Sequence, residues 1–152
     1  MIIEVKNENE MKLFGITVGS LLLGGEIIEL IGDVGSGKTT FVKGLGIGLG
    51  VSDNIQSPSF TINRVYNGRD SILLSHYDFY RLETAGIMAD GLRETIYDPK
   101  IVMIVEWAEV VGGILPNDRL SIKINVLTEV SRQLDINSNG DKSQELMEKI
   151  RR

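Results

Sequence analysis

The chain contains no cysteine, so neither a disulfide framework nor a thiolate metal site is available to it. No apolar stretch approaches the ~20 residues needed to cross a bilayer, and no membrane association is expected. A cationic excess is also missing. Sixteen Lys and Arg stand against 21 Asp and Glu, for a formal charge of −5. Such a balance does not suit a protein that grips RNA by its phosphates, which needs a basic face, although a local basic patch is compatible with these totals. Internal repeats, low-complexity tracts and linkers are absent. The N-terminus turns charged at Glu4 and Lys6, too early for a signal peptide, and a cytoplasmic location is expected. What remains is 152 residues with 42% hydrophobic and 24% charged residues. That is ordinary for one soluble domain, here residues 1–152, large enough for a sheet-and-helix core.

Residues 32–39 read Gly-Asp-Val-Gly-Ser-Gly-Lys-Thr and follow the apolar run Ile27-Ile28-Glu29-Leu30-Ile31. This is a complete G-x-x-x-x-G-K-[ST] phosphate loop in its required strand–loop–helix setting. Gly32, Gly35 and Gly37 allow backbone conformations that let successive N–H groups wrap a phosphate chain. Lys38 can reach the β- and γ-phosphates, and the Thr39 hydroxyl is placed for Mg²⁺. The following helix directs its positive end at the same anion. Asp33, Val34, Gly35, Ser36, Gly37, Lys38, Thr39 and Thr40 are thus candidate nucleotide-binding residues.

Strand and helix patterns alternate along the chain. Residues 2–5 read as a strand. Asn7 with Glu10 predicts a helix start, and Met11, Phe14, Val18, Leu21 and Leu22 continue at helical spacing up to a stop at Gly24-Gly25. A strand over 26–31 precedes the phosphate loop, and a helix is predicted over 38–49. Gly44, Gly46, Gly48 and Gly50 alternate through the end of that helix; each interior glycine costs ~1 kcal/mol relative to Ala. Either the last turns are weak or they pack closely against another backbone. A loop rich in Ser, Asn and Asp spans 51–59. Runs 60–66 and 71–77 flank Asn67-Gly68, a hairpin signal. A short amphipathic helix is expected around 85–88. The uninterrupted apolar run 101–105 predicts a buried central strand. Residues 119–126 and 132–136 read as a second hairpin, and 143–150 as a closing helix. The expected architecture is α/β, a three-layer P-loop fold with a mixed, mostly parallel sheet and helices on both faces.

Three further constellations carry chemistry. Glu106 follows the 101–105 strand, the position at which a P-loop protein holds Mg²⁺ through a carboxylate; the alternative is a solvated strand end. Beside it, Trp107 can stack on a nucleotide or partner, or can pack. In His76-Tyr77-Asp78-Phe79-Tyr80-Arg81, alternation sends His76, Asp78 and Tyr80 to one face and Tyr77 and Phe79 to the other. Asp78 is a candidate second carboxylate. In isolation, a lone histidine reads as a hydrogen-bonded group at a sheet edge. Last, Ser57-Pro58-Ser59-Phe60 lies where P-loop switches place a segment that responds to the γ-phosphate.

Taken together, GDVGSGKTTF at 32–41, SPSF at 57–60, HYDFYRL at 76–82 and VEWAE at 105–109 closely resemble the TsaE family. These are small bacterial P-loop ATPases of threonylcarbamoyladenosine tRNA modification. The resemblance runs from the N-terminal helix to Arg132. The family pattern is G-x-x-G-x-G-K-T, S-P-T-[FY], H-x-D-x-Y-R and E-W. Here Ser59 replaces the usual Thr, Ala108 stands where Pro is common, and Met11 aligns with a Thr that often contacts adenine.

The resemblance implies ATP and Mg²⁺ as cofactors, slow hydrolysis, and action through TsaB-type and TsaD-type partners, with tRNA reached only through that complex. It assigns phosphate binding to Lys38 and the loop amides, and metal binding to Thr39 and Glu106. A role in water polarisation or metal support falls to Asp78, and Arg132 approaches the nucleotide. Other classes fit less well. A small-molecule kinase would need a basic lid, yet Arg93 and Lys100 are isolated. A GTPase would be expected to show Asn-Lys-x-Asp, which the sequence lacks. A regulator that senses ATP without hydrolysis is the remaining alternative.

Overall fold

The computed structural model describes residues 1–58, 62–80, 82, 86 and 88–152. In chain order the elements are β1 (Ile2–Val5), α1 (Glu8–Leu21), β2 (Ile27–Ile31), α2 (Lys38–Leu49), β3 (Asn63–Asn67) and β4 (Leu73–Asp78). They continue with α3 (Met88–Thr95), β5 (Ile101–Glu106), β6 (Leu120–Val126), β7 (Arg132–Ser138) and α4 (Asp141–Arg151). The strands join one sheet in the order β1-β7-β6-β2-β5-β4-β3. Its centre, β6-β2-β5-β4, is parallel, and antiparallel pairings add β7 and β1 on one side and β3 on the other. The parallel character therefore belongs to the middle of the sheet, where both faces are covered.

Alternation along the central strands sorts the core into two layers. Ile28, Leu30, Leu74, Ile104, Leu120 and Ile122 face one way and pack with Val18, Phe41 and Leu45 of α1 and α2, and with Leu146 of α4. Ile27, Tyr77, Met103 and Val105 face the other way, against Leu92 and Ile96 of the α3 region. Helices thus lie on both faces.

The start of α1 follows its sequence signal. The Asn7 side chain accepts from the Glu10 amide at 2.9 Å, and the Glu10 carboxylate accepts from the Lys6 amide at 2.7 Å. Its end comes earlier than Gly24-Gly25. The Glu26 carboxylate accepts from the amides of Leu23 and Gly24, each at 2.8 Å, holding them out of the helix. The Arg69 guanidinium, from the β3–β4 turn, donates to the carbonyls of Gly19, Ser20 and Leu22. Through Gly48 O at 2.8 Å it also ties α2 to the same point.

Gly44 and Gly48 of the alternating glycines in α2 serve close backbone approach, whereas Gly46 faces the Ile55 side chain. A methyl at Gly44 would strike the Lys12 carbonyl, and one at Gly48 the Ile16 carbonyl. The contact is mutual, because methyls at Gly15 and Gly19 of α1 would strike the carbonyls of Phe41 and Leu45. Of the two readings of this run, tight helix–helix packing is the one realised.

Several boundaries differ from the sequence reading. The first hairpin pairs Asn63–Asn67 with Leu73–Asp78, one to three residues later than expected. Of the run 60–66, Phe60 and Thr61 lie outside the described residues. The helix expected around 85–88 falls partly on undescribed positions, and the observed α3 runs Met88–Thr95. Among the described residues, no helix is long and apolar enough to cross a membrane.

Candidate nucleotide-binding site

Three parallel strands deliver their C-terminal ends to one edge of the sheet. β2 ends at Ile31 and runs into the phosphate loop, while β4 ends at Asp78 and β5 at Glu106. Asp78 and Glu106 are register partners on adjacent strands, and Leu30 pairs with Glu106 on the other side. The topology therefore brings two carboxylates beside the loop at the edge where open α/β sheets bind ligands.

The loop itself needs its glycines. Gly35 and Gly37 have φ of +81° and +111°, conformations that side chains disfavour. Gly32 is held for a different reason: a methyl there would lie 2.6 Å from Ser36 Oγ and 3.0 Å from the Ile124 carbonyl. The Lys38 ammonium spans the loop, donating to Gly32 O at 2.5 Å and Asp33 O at 2.9 Å. It also lies 5.3 Å from the centre of the Trp107 ring. Trp107 in turn packs on Tyr80, with ring centroids 4.8 Å apart.

Two cavities flank the loop. One, of about 260 Å³, is lined by Lys38, Thr39, Ser57, Asp78, Glu106 and Trp107, together with Val34. The other, of about 330 Å³, is lined by Met11, Ser36, Thr40, Glu129, Val130 and Arg132. Gly35, Gly37 and Thr40 border both. The sequence-predicted residues thus meet at one place. Asp33 instead lines a third cavity of about 440 Å³ with Glu29, Glu109 and Lys123, which Ser36 and Trp107 also border.

The two outlying candidates come in from distant parts of the chain. Met11, 2% exposed, lies on α1 beneath the loop, its Cε 3.3 Å from where a Gly37 Cβ would stand. Arg132 opens β7 and donates from Nε to Ser36 O at 2.8 Å, while its Nη1 bonds Ser131 O at 2.9 Å and Thr128 O at 3.0 Å. It borders the second cavity while bracing the phosphate loop by its backbone. Thr40 adds a bond to Glu8 at 3.3 Å.

On the other side, Asp78 accepts the Tyr80 amide at 2.9 Å. Glu106, 2% exposed, meets Nε2 of the fully buried His76 at 3.1 Å. His76 sits one strand in from the sheet edge, with β3 outside it. As the alternation predicted, Tyr77 and Phe79 stack on the opposite face, 5.6 Å apart. Ser59, Phe60 and Arg81 of the sequence motifs lie outside the described residues.

The donor set suits a hard cation. A hydroxyl and two carboxylates border one cavity, and oxygen donors of this kind fit Mg²⁺. No cluster of three or more His, Cys, Asp or Glu able to hold a metal occurs among the described residues.

Sequence reasoning missed Glu8, Glu129 and Val130 around the second cavity. No local signal marks them, since they arrive from α1 and from the β6–β7 turn. The His76–Glu106 contact was also hidden, although the spacing of HYD and VE on two parallel strands implies it once their register is known.

Comparison with known proteins agrees with this geometry. The family model for threonylcarbamoyl adenosine biosynthesis protein TsaE matches residues 5–134. The chain is 40% identical over 124 residues to the tRNA threonylcarbamoyladenosine biosynthesis protein TsaE of Treponema pallidum, spanning 81% of this chain and 90% of that protein. With the protein of the same name from Bacillus subtilis it shares 34% identity over 147 residues, or 96% and 90% of the two chains. The crystal structure of Bacillus subtilis YdiB superposes with a TM-score of 0.81 at 31% identity, covering 99% of this chain and 93% of that one. With the phosphate loop, the strand-tip carboxylates and these relatives in agreement, the chain belongs to the TsaE family of threonylcarbamoyl adenosine biosynthesis proteins.

Proposed function

We propose that this protein binds ATP with Mg²⁺ and hydrolyses it slowly, as an accessory to threonylcarbamoyl modification of the tRNA adenosine next to the anticodon. It acts through a complex of TsaB-type and TsaD-type proteins and reaches tRNA only through them. One observation carries the reading: Lys38, Thr39, Asp78 and Glu106 border a single cavity at the phosphate loop in a chain of this family.

In this account the loop amides and Lys38 hold the β- and γ-phosphates, Lys38 exchanging its bonds to Gly32 and Asp33 for phosphate oxygens. Thr39 and Glu106 hold Mg²⁺, which when bound neutralises charge developing on the transferred phosphoryl group. Asp78 polarises the attacking water or supports the metal through water. Met11 and the Arg132 side carry the base in the second cavity, an apolar floor in place of a hydroxyl. Trp107 and Ser57 border the cavity at its γ-phosphate end, where contacts can differ between ATP and ADP and so shift a conformation.

Titration of a TsaB–TsaD-type complex with this protein under ATP-analogue and ADP conditions tests the partner step. The expected result is tighter docking with the analogue and faster phosphate release on docking. Equal affinities in the two states without stimulation would remove the switch. ATP-dependent docking with no phosphate release under any condition would indicate an ATP-sensing regulator instead.

A further inference from the structure

We infer that His76 is a positioning residue for Glu106: it fixes one carboxylate oxygen so that the other is presented to the metal end of the nucleotide cavity. The inference rests on the Mg²⁺-dependent reading above. Its starting point is register. β4 and β5 are parallel with His76 opposite Ile104 and Asp78 opposite Glu106, so His76 lies one pleat below the strand tip on the same face as both carboxylates. From there its Nε2 stands 3.1 Å from Glu106 Oε2. The His76 side chain is 0% exposed and that of Glu106 3%.

The two Glu106 oxygens have different surroundings. Oε2 is held by His76, whereas Oε1 has no hydrogen-bond partner among the described residues, in a side chain that borders the cavity with Thr39 and Asp78. A carboxylate can only accept, so Nε2 carries the proton and donates. That assignment leaves Nδ1 as the ring's other polar atom, buried and without a partner among the described residues. An apolar side chain of similar volume would avoid the unmet polar atom. The histidine is therefore poorly explained as core filling and well explained by the bond to Glu106. Partners of this kind, one step removed from a metal, orient the ligating oxygen and raise its effectiveness.

The test compares His76→Gln, His76→Asn and His76→Leu. A glutamine amide nitrogen can stand near the place of Nε2 and donate; the shorter asparagine places its nitrogen near Nδ1 and cannot reach Glu106. The first readout is Mn²⁺ affinity of the ADP-bound protein by electron paramagnetic resonance, which needs no turnover. The second is phosphate release as a function of Mg²⁺, with circular dichroism as the control for folding. His76→Asn and His76→Leu are expected to weaken Mn²⁺ affinity roughly tenfold or more. They should lower kcat by a similar factor while nucleotide affinity in EDTA stays within about twofold of wild type, a difference too small to reflect lost phosphate contacts. His76→Gln should recover most of both losses. If His76→Leu does not fold, the Gln and Asn pair carries the comparison, since both side chains are polar and differ in reach.

Folded His76→Asn with wild-type Mn²⁺ affinity would overturn the inference. So would a glutamine variant as impaired as the asparagine one. If the wild type binds Mn²⁺–ADP but releases no phosphate, hydrolysis fails as the function while the metal readout still judges His76.

Discussion

The Lys38 ammonium sits over the face of Trp107, 5.3 Å from the ring centre, while bonded to two carbonyls of its own loop. Because Trp107 is the only tryptophan, its emission reports directly on this contact. Nucleotide that draws Lys38 onto phosphate must change the field at the indole. Addition of ATP or ADP is expected to shift or quench the emission, and Lys38→Ala should alter the starting spectrum and lose the response. Unchanged wild-type emission in a sample that calorimetry shows to bind nucleotide would contradict the coupling.

Glu106→Ala separates metal chemistry from nucleotide binding. Turnover is expected to fall on the order of a hundredfold, while ATP affinity changes far less, because the carboxylate acts through Mg²⁺. Asp78→Asn should give a smaller loss. Asp78 also accepts the Tyr80 amide, so a purely structural role would instead appear as a lower Tm with turnover intact.

The α1–α2 contact makes a stability prediction that no local propensity gives. Gly19→Ala places a methyl against the Leu45 carbonyl and is expected to destabilise by about 1–3 kcal/mol through forced separation of the helices. A methyl at the exposed Gly91 of α3 would meet nothing within 4 Å among the described residues. Gly91→Ala should therefore stabilise by about 0.4–1 kcal/mol. Urea titrations of the two variants check both signs, and a neutral Gly19→Ala would show that the helices yield without cost.

Asp118 caps α4 from outside the helix, accepting from the Lys142 amide at 3.0 Å and the Ser143 amide at 2.9 Å. Burial pushes its carboxyl up, but the Ser143 bonds and then Lys142 outweigh this, leaving it below its ordinary value. The folded protein thus releases the proton more readily than the unfolded chain. The cap's contribution is full above the unfolded carboxylate value near ~3.9 and is lost as pH falls through the lower folded one. Asp118→Ala should cost ~1 kcal/mol at neutral pH, and the gap to wild type should close on acidification. A gap of constant size across that range would show that charge plays no part.

How far the fold and site could be read from the residues follows from the range of the interactions involved. The phosphate loop, β5 and the Asn7 cap are set by neighbours in sequence, and the strand tips inherit their positions from those elements. The stop of α1 depends on Arg69, some 50 residues away, and on Glu26 taking two amides, so a glycine pair was the nearest local signal. Family resemblance named Met11 and Arg132 as candidate site residues, and both line the second cavity. The bond from Arg132 to the Ser36 carbonyl was not, because nothing in either segment encodes their meeting. The His76–Glu106 bond required strand register, and the glycines of α2 required knowledge that α1 carries its own.

The most direct test of the central claim is Mg²⁺-dependent phosphate release from ATP by wild type and Lys38→Ala, each alone and with TsaB-type and TsaD-type proteins. The account expects slow release by wild type, acceleration by the partners, and loss of both in a folded Lys38→Ala, because that residue supplies the mobile positive charge of the loop. Equal release by wild type and a folded Lys38→Ala would contradict it.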